Sequence, residues 1–159
     1  MNQIDIIFTL NSKETKLSCD PNKTLLDVLR DDLGLTGAKD ACGGEGECGA
    51  CTVIFNGKPV NSCLIFIGQV MGQKITTIEG LSVKGDYHPV QKAFVEAGAV
   101  QCGYCTPGAV IATKALLDRN PHPSDQEIRD GLSGNLCRCT GYNKMVDAVQ
   151  LAAEEYSNG

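Results

Sequence analysis

Val100-Gln101-Cys102-Gly103-Tyr104-Cys105-Thr106-Pro107-Gly108 is the stretch around which this chain is organised. It offers two thiols with two residues between them. Far downstream, Gly134-Asn135-Leu136-Cys137-Arg138-Cys139-Thr140-Gly141 answers with two thiols separated by one residue. A C-x2-C pair and a distant C-x-C pair are too compact for two independent disulfides and well shaped for one four-thiolate site. Four thiolates suit Zn2+ or an iron–sulfur cluster.

The sequence around these pairs has a helical pattern. Val90, Phe94, Val95 and Ala97 suggest one helix ending at Gly98. Thr106-Pro107 resembles an N-cap followed by Pro at the first helical position, opening a helix to about Arg119. Ser124-Asp125-Gln126-Glu127 is a capping box before a short helix to about Leu132. Thr140 is placed to cap a last helix from Tyr142 to about Glu155. The pairs therefore fall in the loop between the first and second helices and in that between the third and fourth.

The first half differs. Ile4 to Leu10 is a mostly buried strand, turned at Asn11-Ser12-Lys13-Glu14 into a partner from Thr15 to Ser18. Thr24 precedes a helix from Leu25 to Leu33, closed by Gly34. Thr52 to Phe55 is a strand, Asn56-Gly57 a hairpin turn signal, and Lys74 to Glu79 a further strand. The two-glycine segment Gly80 to Asp86 is the expected boundary. The expectation is an α+β chain with domains at 1–80 and 81–159.

Cys42, Cys48, Cys51 and Cys63 form a second quartet, with five, two and eleven intervening residues. The plant-type [2Fe–2S] pattern is C-x4-C-x2-C with a distant fourth Cys, so one residue is extra here. Gly43, Gly44, Gly46 and Gly49 give the backbone freedom to wrap a cluster and aim N–H groups at its sulfurs. Gly44 to Gly49 also spells G-x-G-x-x-G, but no strand leads into it and three neighbouring cysteines explain the glycines better. Cys19 is left as a free thiol near a strand end. His88 and His122, beside prolines, are ordinary loop residues. Zinc is the plainer alternative for both quartets, although zinc sites more often show two short C-x2-C pairs.

Composition narrows the partners. A net charge of -5 argues against nucleic acid, whose phosphates call for clustered Lys and Arg. Met1-Asn2-Gln3-Ile4-Asp5 lacks the basic start of a signal peptide, and no apolar run approaches membrane-spanning length. Nine cysteines in a cytoplasmic protein call for metal rather than disulfides. Hydrophobic residues make up 42% but aromatics only 5%, so an aliphatic core is expected.

The chain resembles the small iron–sulfur subunit of molybdenum hydroxylases, the xanthine dehydrogenase and aldehyde oxidoreductase group. Glu45 to Val53, Gly98 to Gly108 and Gly134 to Tyr142 carry the resemblance, which covers nearly the whole chain. It departs at the first loop, where the family usually has four residues between its first two ligands. The resemblance implies a plant-type ferredoxin β-grasp domain and a four-helix domain, each with one [2Fe–2S] cluster. The ligands would be Cys42, Cys48, Cys51 and Cys63 in the first, and Cys102, Cys105, Cys137 and Cys139 in the second. It also implies a large subunit with a molybdenum–pterin cofactor, against which Gln101 and Cys139 would lie, and an FAD-binding medium subunit. In the family, water supplies the oxygen that hydroxylates an N-heterocycle or an aldehyde, and electrons leave through the helical-domain cluster, then the β-grasp cluster. This chain would then carry no catalytic residue of its own, within a heterotrimer or its dimer. A free two-cluster ferredoxin is the alternative.

Overall fold

The computed structural model describes residues 3–82 and 85–157. Its first half is a five-stranded mixed sheet in the order β2-β1-β5-β3-β4. The strands are β1 (Ile4–Leu10), β2 (Lys13–Cys19), β3 (Thr52–Phe55), β4 (Lys58–Asn61) and β5 (Lys74–Thr76). β1 and β5 run parallel at the centre, and the other pairings are antiparallel. The β1–β2 hairpin is tighter than expected: only Asn11 and Ser12 turn, both with positive φ. Asn56 and Gly57 turn β3 into β4 with φ of 49° and 82°, as the Asn-Gly pair requires.

Ile6, Phe8 and Leu10 of β1 are buried against Leu25, Leu26, Val28 and Leu29. Thr24 and Asp27 form a capping box that starts α1 (Leu25–Asp27). The expected longer helix continues as a wider π turn over Val28–Asp32, closed by Leu33 N–H on the Val28 carbonyl. Gly34, at φ 67°, ends it.

β5 stops three residues before the expected Glu79. The Asn11 side chain accepts from Thr77 N–H at 2.9 Å and donates to the Thr77 hydroxyl at 3.1 Å. Those contacts occupy Thr77, and Ile78–Gly80 coil into a 3-10 turn. Of the expected boundary segment, Val83 and Lys84 lie outside the described residues.

The second half holds α2 (Pro89–Glu96), α3 (Thr106–Arg119), α4 (Asp125–Leu132) and α5 (Asn143–Ser157). α3 is buried nearly all round, from Gly108 through Leu117. A helix apolar on every side belongs at the centre of a core. It packs against α2, α4 and α5, and also against β3 of the sheet. Alternation along β3 makes this possible: Val53 faces the sheet's own core, and Ile54 belongs to the helical core. The Ser124–Glu127 capping box opens α4 as expected. His88 departs from its expected loop role: its Nδ1 accepts from Val90 N–H at 3.3 Å and caps α2.

Candidate metal centres

The first quartet lies on the loop between the π turn and β3, with Cys63 in the turn after β4. The Arg30 guanidinium anchors the loop by donating to the Thr36 and Ala38 carbonyls at 3.1 and 2.7 Å. The Asp40 carboxylate accepts from Gly43 N–H at 2.8 Å and Gly44 N–H at 3.3 Å. Gly43 and Gly44 have φ of 71° and 86°, so the extra residue is absorbed in a bulge folded onto Asp40. Cys51 and Cys63 are buried with sulfurs 3.5 Å apart. Ser62 fixes that approach by donating its hydroxyl to the Cys51 carbonyl at 2.8 Å.

Charge within the quartet is uneven. The Cys42 thiol is held down to about 7 by the N–H groups of Cys48 and Glu47 and by the Cys48 thiol. Burial pushes Cys48 up. Burial, then its neighbour Cys51, pushes Cys63 up to about 12.

The second quartet joins two loops of the helical half. Cys102 and Cys139 are exposed, with sulfurs 3.6 Å apart. Burial, then Cys137, raises Cys105 to about 12. Burial works against ionising Cys137, but the Thr140 hydroxyl at 3.2 Å and the N–H groups of Thr140 and Cys139, each at 3.4 Å, bring it down to about 7. Thr140 therefore serves two groups at once: its hydroxyl donates to the Cys137 sulfur, while its oxygen accepts from Tyr142 N–H at 3.3 Å, so its expected cap is displaced to just ahead of the helix. α5 starts later, after Tyr142 at φ 70°. Thr106 is also displaced as a cap. Cys105 holds the cap position, Thr106 and Pro107 fall in the first turn, and no side chain closes the end.

The donor sets fit clusters with two metals. Two thiolates on one tetrahedral metal at about 2.3 Å stand about 3.8 Å apart, close to the spacings of Cys51–Cys63 and Cys102–Cys139. Thiol–thiol hydrogen bonds join the other two pairs, Cys42 with Cys48 and Cys105 with Cys137. In the Cys42–Cys48 and Cys105–Cys137 pairs one thiol is pushed up while its neighbour is held down to about 7, so a cation must displace the remaining proton. Backbone N–H groups aimed at Cys42 and Cys137 suit sulfurs that stay negative when metal is bound. Cys19 packs in the sheet's core, its thiol pushed up by burial and then by the charge of Asp32.

Between the quartets runs a seam that the cysteine pattern does not reveal. Leu136 N–H donates to the Cys48 carbonyl at 2.9 Å. Asn135, 6% exposed, donates to the Gly49 carbonyl at 3.0 Å and to the Thr52 hydroxyl at 3.2 Å. The Tyr104 hydroxyl donates to the Asp40 carbonyl. A Cβ on Gly108 would stand 2.3 Å from the Gly49 carbonyl oxygen, and one on Gly49 2.2 Å from that of Gly134. The available signal was an amide and several glycines inside cysteine motifs, where ligation alone requires neither.

The 2Fe-2S iron-sulfur cluster binding domain family matches residues 8–71, and the [2Fe-2S] binding domain family matches 77–150. The chain is 54% identical over 158 residues to the nicotinate dehydrogenase small FeS subunit of Eubacterium barkeri, covering 99% of this chain and 100% of that one. It is similar to a chain of quinoline 2-oxidoreductase from Pseudomonas putida 86, with a TM-score of 0.94 and 40% identity over 99% of this chain and 98% of that one. It also superposes on aldehyde oxidoreductase from Desulfovibrio gigas, with a TM-score of 0.93 and 46% identity over 98% of this chain but 17% of that one.

Proposed function

The chain belongs to the small iron–sulfur subunits of the molybdenum hydroxylases, and from that premise we propose that it serves a complex hydroxylating a nicotinate-type N-heterocycle. As an electron-transfer subunit it binds two [2Fe–2S] clusters, which supply one-electron carriage. The ligand sets we assign are Cys42, Cys48, Cys51 and Cys63 in a domain over 1–80, and Cys102, Cys105, Cys137 and Cys139 in a domain over 81–159. The observation that carries the assignment is the seam: two thiol quartets held against each other by Leu136 and Cys48. The nicotinate reading is supported by the end-to-end identity with the E. barkeri subunit.

The partners in this reading are a large molybdenum–pterin subunit and an FAD-binding subunit. Gln101, Cys102 and Cys139 are exposed together on the helical half, and we place them against the pterin. The amide of Gln101 can both donate to a pterin and accept from it, beside a ligand whose potential responds to hydrogen bonds at sulfur. Cytoplasmic residence fits nine unpaired cysteines. Among the described residues no helix is long and apolar enough to cross a membrane.

The test is purification of the native complex through a tag on this chain. Molybdenum, flavin and iron should copurify, and nicotinate should bleach the visible iron–sulfur absorption. A complex that is reduced by an aldehyde or a purine and not by nicotinate overturns the substrate. A chain that purifies alone with both clusters returns the free ferredoxin.

A further inference from the structure

Three hydrogen bonds close a ring at the C-x-C pair of the second quartet. The Cys137 N–H donates to the Tyr142 hydroxyl oxygen at 3.0 Å. The Tyr142 N–H donates to the Thr140 hydroxyl oxygen at 3.3 Å. The Thr140 hydroxyl in turn donates to the Cys137 sulfur at 3.2 Å. A hydroxyl hydrogen rotates to suit its surroundings. With an N–H already on the Thr140 oxygen, its own hydrogen is turned to the sulfur.

The ring is held against backbone strain. Gly141 and Tyr142 both have positive φ, 64° and 70°. Glycine adopts that conformation freely, but for a side chain as bulky as Tyr it is an outlier. Such strain persists only where the surroundings over-determine it, and it gathers at functional sites. Here the Tyr142 carbonyl accepts from Met145 and Val146 N–H at 2.9 and 3.1 Å, so it carries the start of α5, whose Met145 and Val146 are buried. Its hydroxyl reaches back to Cys137. The helix start requires no phenol at this position; the hydroxyl serves the cysteine loop.

The first quartet is built differently. There the neighbouring hydroxyls go to carbonyls, Ser62 to that of Cys51 at 2.8 Å and Thr52 to that of Gly49 at 2.6 Å. The Cys42 sulfur takes backbone N–H groups. At the second quartet a side-chain hydroxyl joins the backbone N–H groups of Cys139 and Thr140 on one sulfur. A donor at a ligand sulfur favours the more negative, reduced form and so raises the potential.

We propose that the Thr140 hydroxyl raises the reduction potential of the second site above what its backbone N–H groups alone would give, and that Tyr142 is the positioning residue that aims it. The inference rests on the functional reading above, in which this quartet holds a [2Fe–2S] cluster. One electron enters the site from its donor, no bond forms or breaks, and the added negative charge falls partly on the Cys137 sulfur, where the hydroxyl meets it.

The test is a redox titration of the purified complex, followed by electron paramagnetic resonance (EPR), with Thr140→Val, Thr140→Ser and Tyr142→Phe in this chain. Val keeps the shape of Thr and removes the hydroxyl. In Thr140→Val the equilibrium constant for reducing the second site should fall about tenfold, the order of one hydrogen bond to a charged group, or about 59 mV for one electron. Iron content and the midpoint of the Cys42 site should match wild type. Thr140→Ser should keep the wild-type midpoint, and Tyr142→Phe should lower that of the second site by a smaller factor. An unchanged second midpoint in Thr140→Val overturns the proposal. Equal shifts at both sites overturn it as well, since they report a general loosening. If Val prevents the second cluster from loading, Thr140→Ala takes its place; loss of the cluster there too, with Ser unaffected, makes Thr140 an assembly residue and overturns the tuning. A wild-type midpoint in Tyr142→Phe overturns the positioning role. If the wild-type chain gives one EPR signal instead of two, the functional reading fails and this inference falls with it.

Discussion

The Leu136 N–H donates to the Cys48 carbonyl at 2.9 Å, and this one bond joins the loops of the two thiol quartets. Leu136 is covalently next to Cys137. A path of covalent bonds interrupted by that single hydrogen bond therefore runs from the Cys48 sulfur to the Cys137 sulfur. Asn135 and Tyr104 hold the same seam from either side. The two halves share a wall through Ile54 as well, so their relative position is set by packing and not by the connecting segment alone.

Asn135→Ala should loosen this seam. The variant loses two donors to Gly49 and Thr52 and leaves a small void, which costs about 1–3 kcal/mol. The melting temperature of the cluster-loaded chain should fall while iron content stays at the wild-type value. An unchanged melting temperature would show that Asn135 does not hold the halves together.

Gly108→Ala and Gly44→Ala separate two uses of glycine. At Gly108 an added Cβ meets backbone, the Gly49 carbonyl oxygen at 2.3 Å, which cannot rotate away. At Gly44 nothing lies within 4 Å, and only the positive φ is strained, at about 1 kcal/mol. Chemical denaturation should therefore rank Gly108→Ala as clearly the more damaging. The reverse order sinks the close-approach argument.

The ligand sets should behave independently. Iron should be about four atoms per chain, two in each [2Fe–2S] site. Cys42→Ser and Cys51→Ser should each alter the same EPR signal and spare the other. Deleting Gly43 should keep both signals, because the bulge it helps to form is surplus to the usual spacing. Cys19→Ser should also keep both. If Cys42→Ser leaves every signal unchanged, Cys42 is not a ligand.

His88 gives the helical half a pH dependence. Burial, then the charge of Lys114, lowers its pKa from the ordinary 6.5, with Asp118 opposing; the Tyr156 hydroxyl stands 3.4 Å from its Nε2. The unfolded chain takes up this proton near 6.5 and the folded chain only at lower pH. Stability is therefore fully present above 6.5 and is lost as pH falls from there towards the folded value. His88→Asn keeps a side chain able to cap α2 and should flatten the melting temperature between pH 7 and pH 5 relative to wild type. Parallel curves for the two proteins would rule His88 out.

Gln101→Ala bears on direction. In the assembled enzyme it should slow reduction of the Cys102, Cys105, Cys137 and Cys139 site by nicotinate, with both EPR signals present and that of the Cys42 site unchanged. Rapid-freeze EPR after mixing resolves the order. Earlier reduction of the Cys42 site would reverse it.

The sequence by itself determined what is local or chemical. Eight of the nine thiols group by spacing into two quartets, and alternation at Ile6, Phe8 and Leu10 identified the first strand. Asn56-Gly57 and the Ser124–Glu127 box identified a turn and a helix start, because each is satisfied within a few residues. Tertiary structure decided wherever one group had two possible partners. Thr140 gives its hydroxyl hydrogen to the Cys137 sulfur while its oxygen takes Tyr142 N–H just ahead of α5, and Asn11 takes Thr77 out of β5. His88 caps a helix while its ring meets Tyr156. The seam is of the same kind. Asn135 and Leu136 find partners more than eighty residues away, and that choice depends on how the Ile54 face of β3 packs on α3. Spacing along a chain encodes which groups can ligate together; which polar group satisfies which across a core is settled only when burial makes an unpaired one costly.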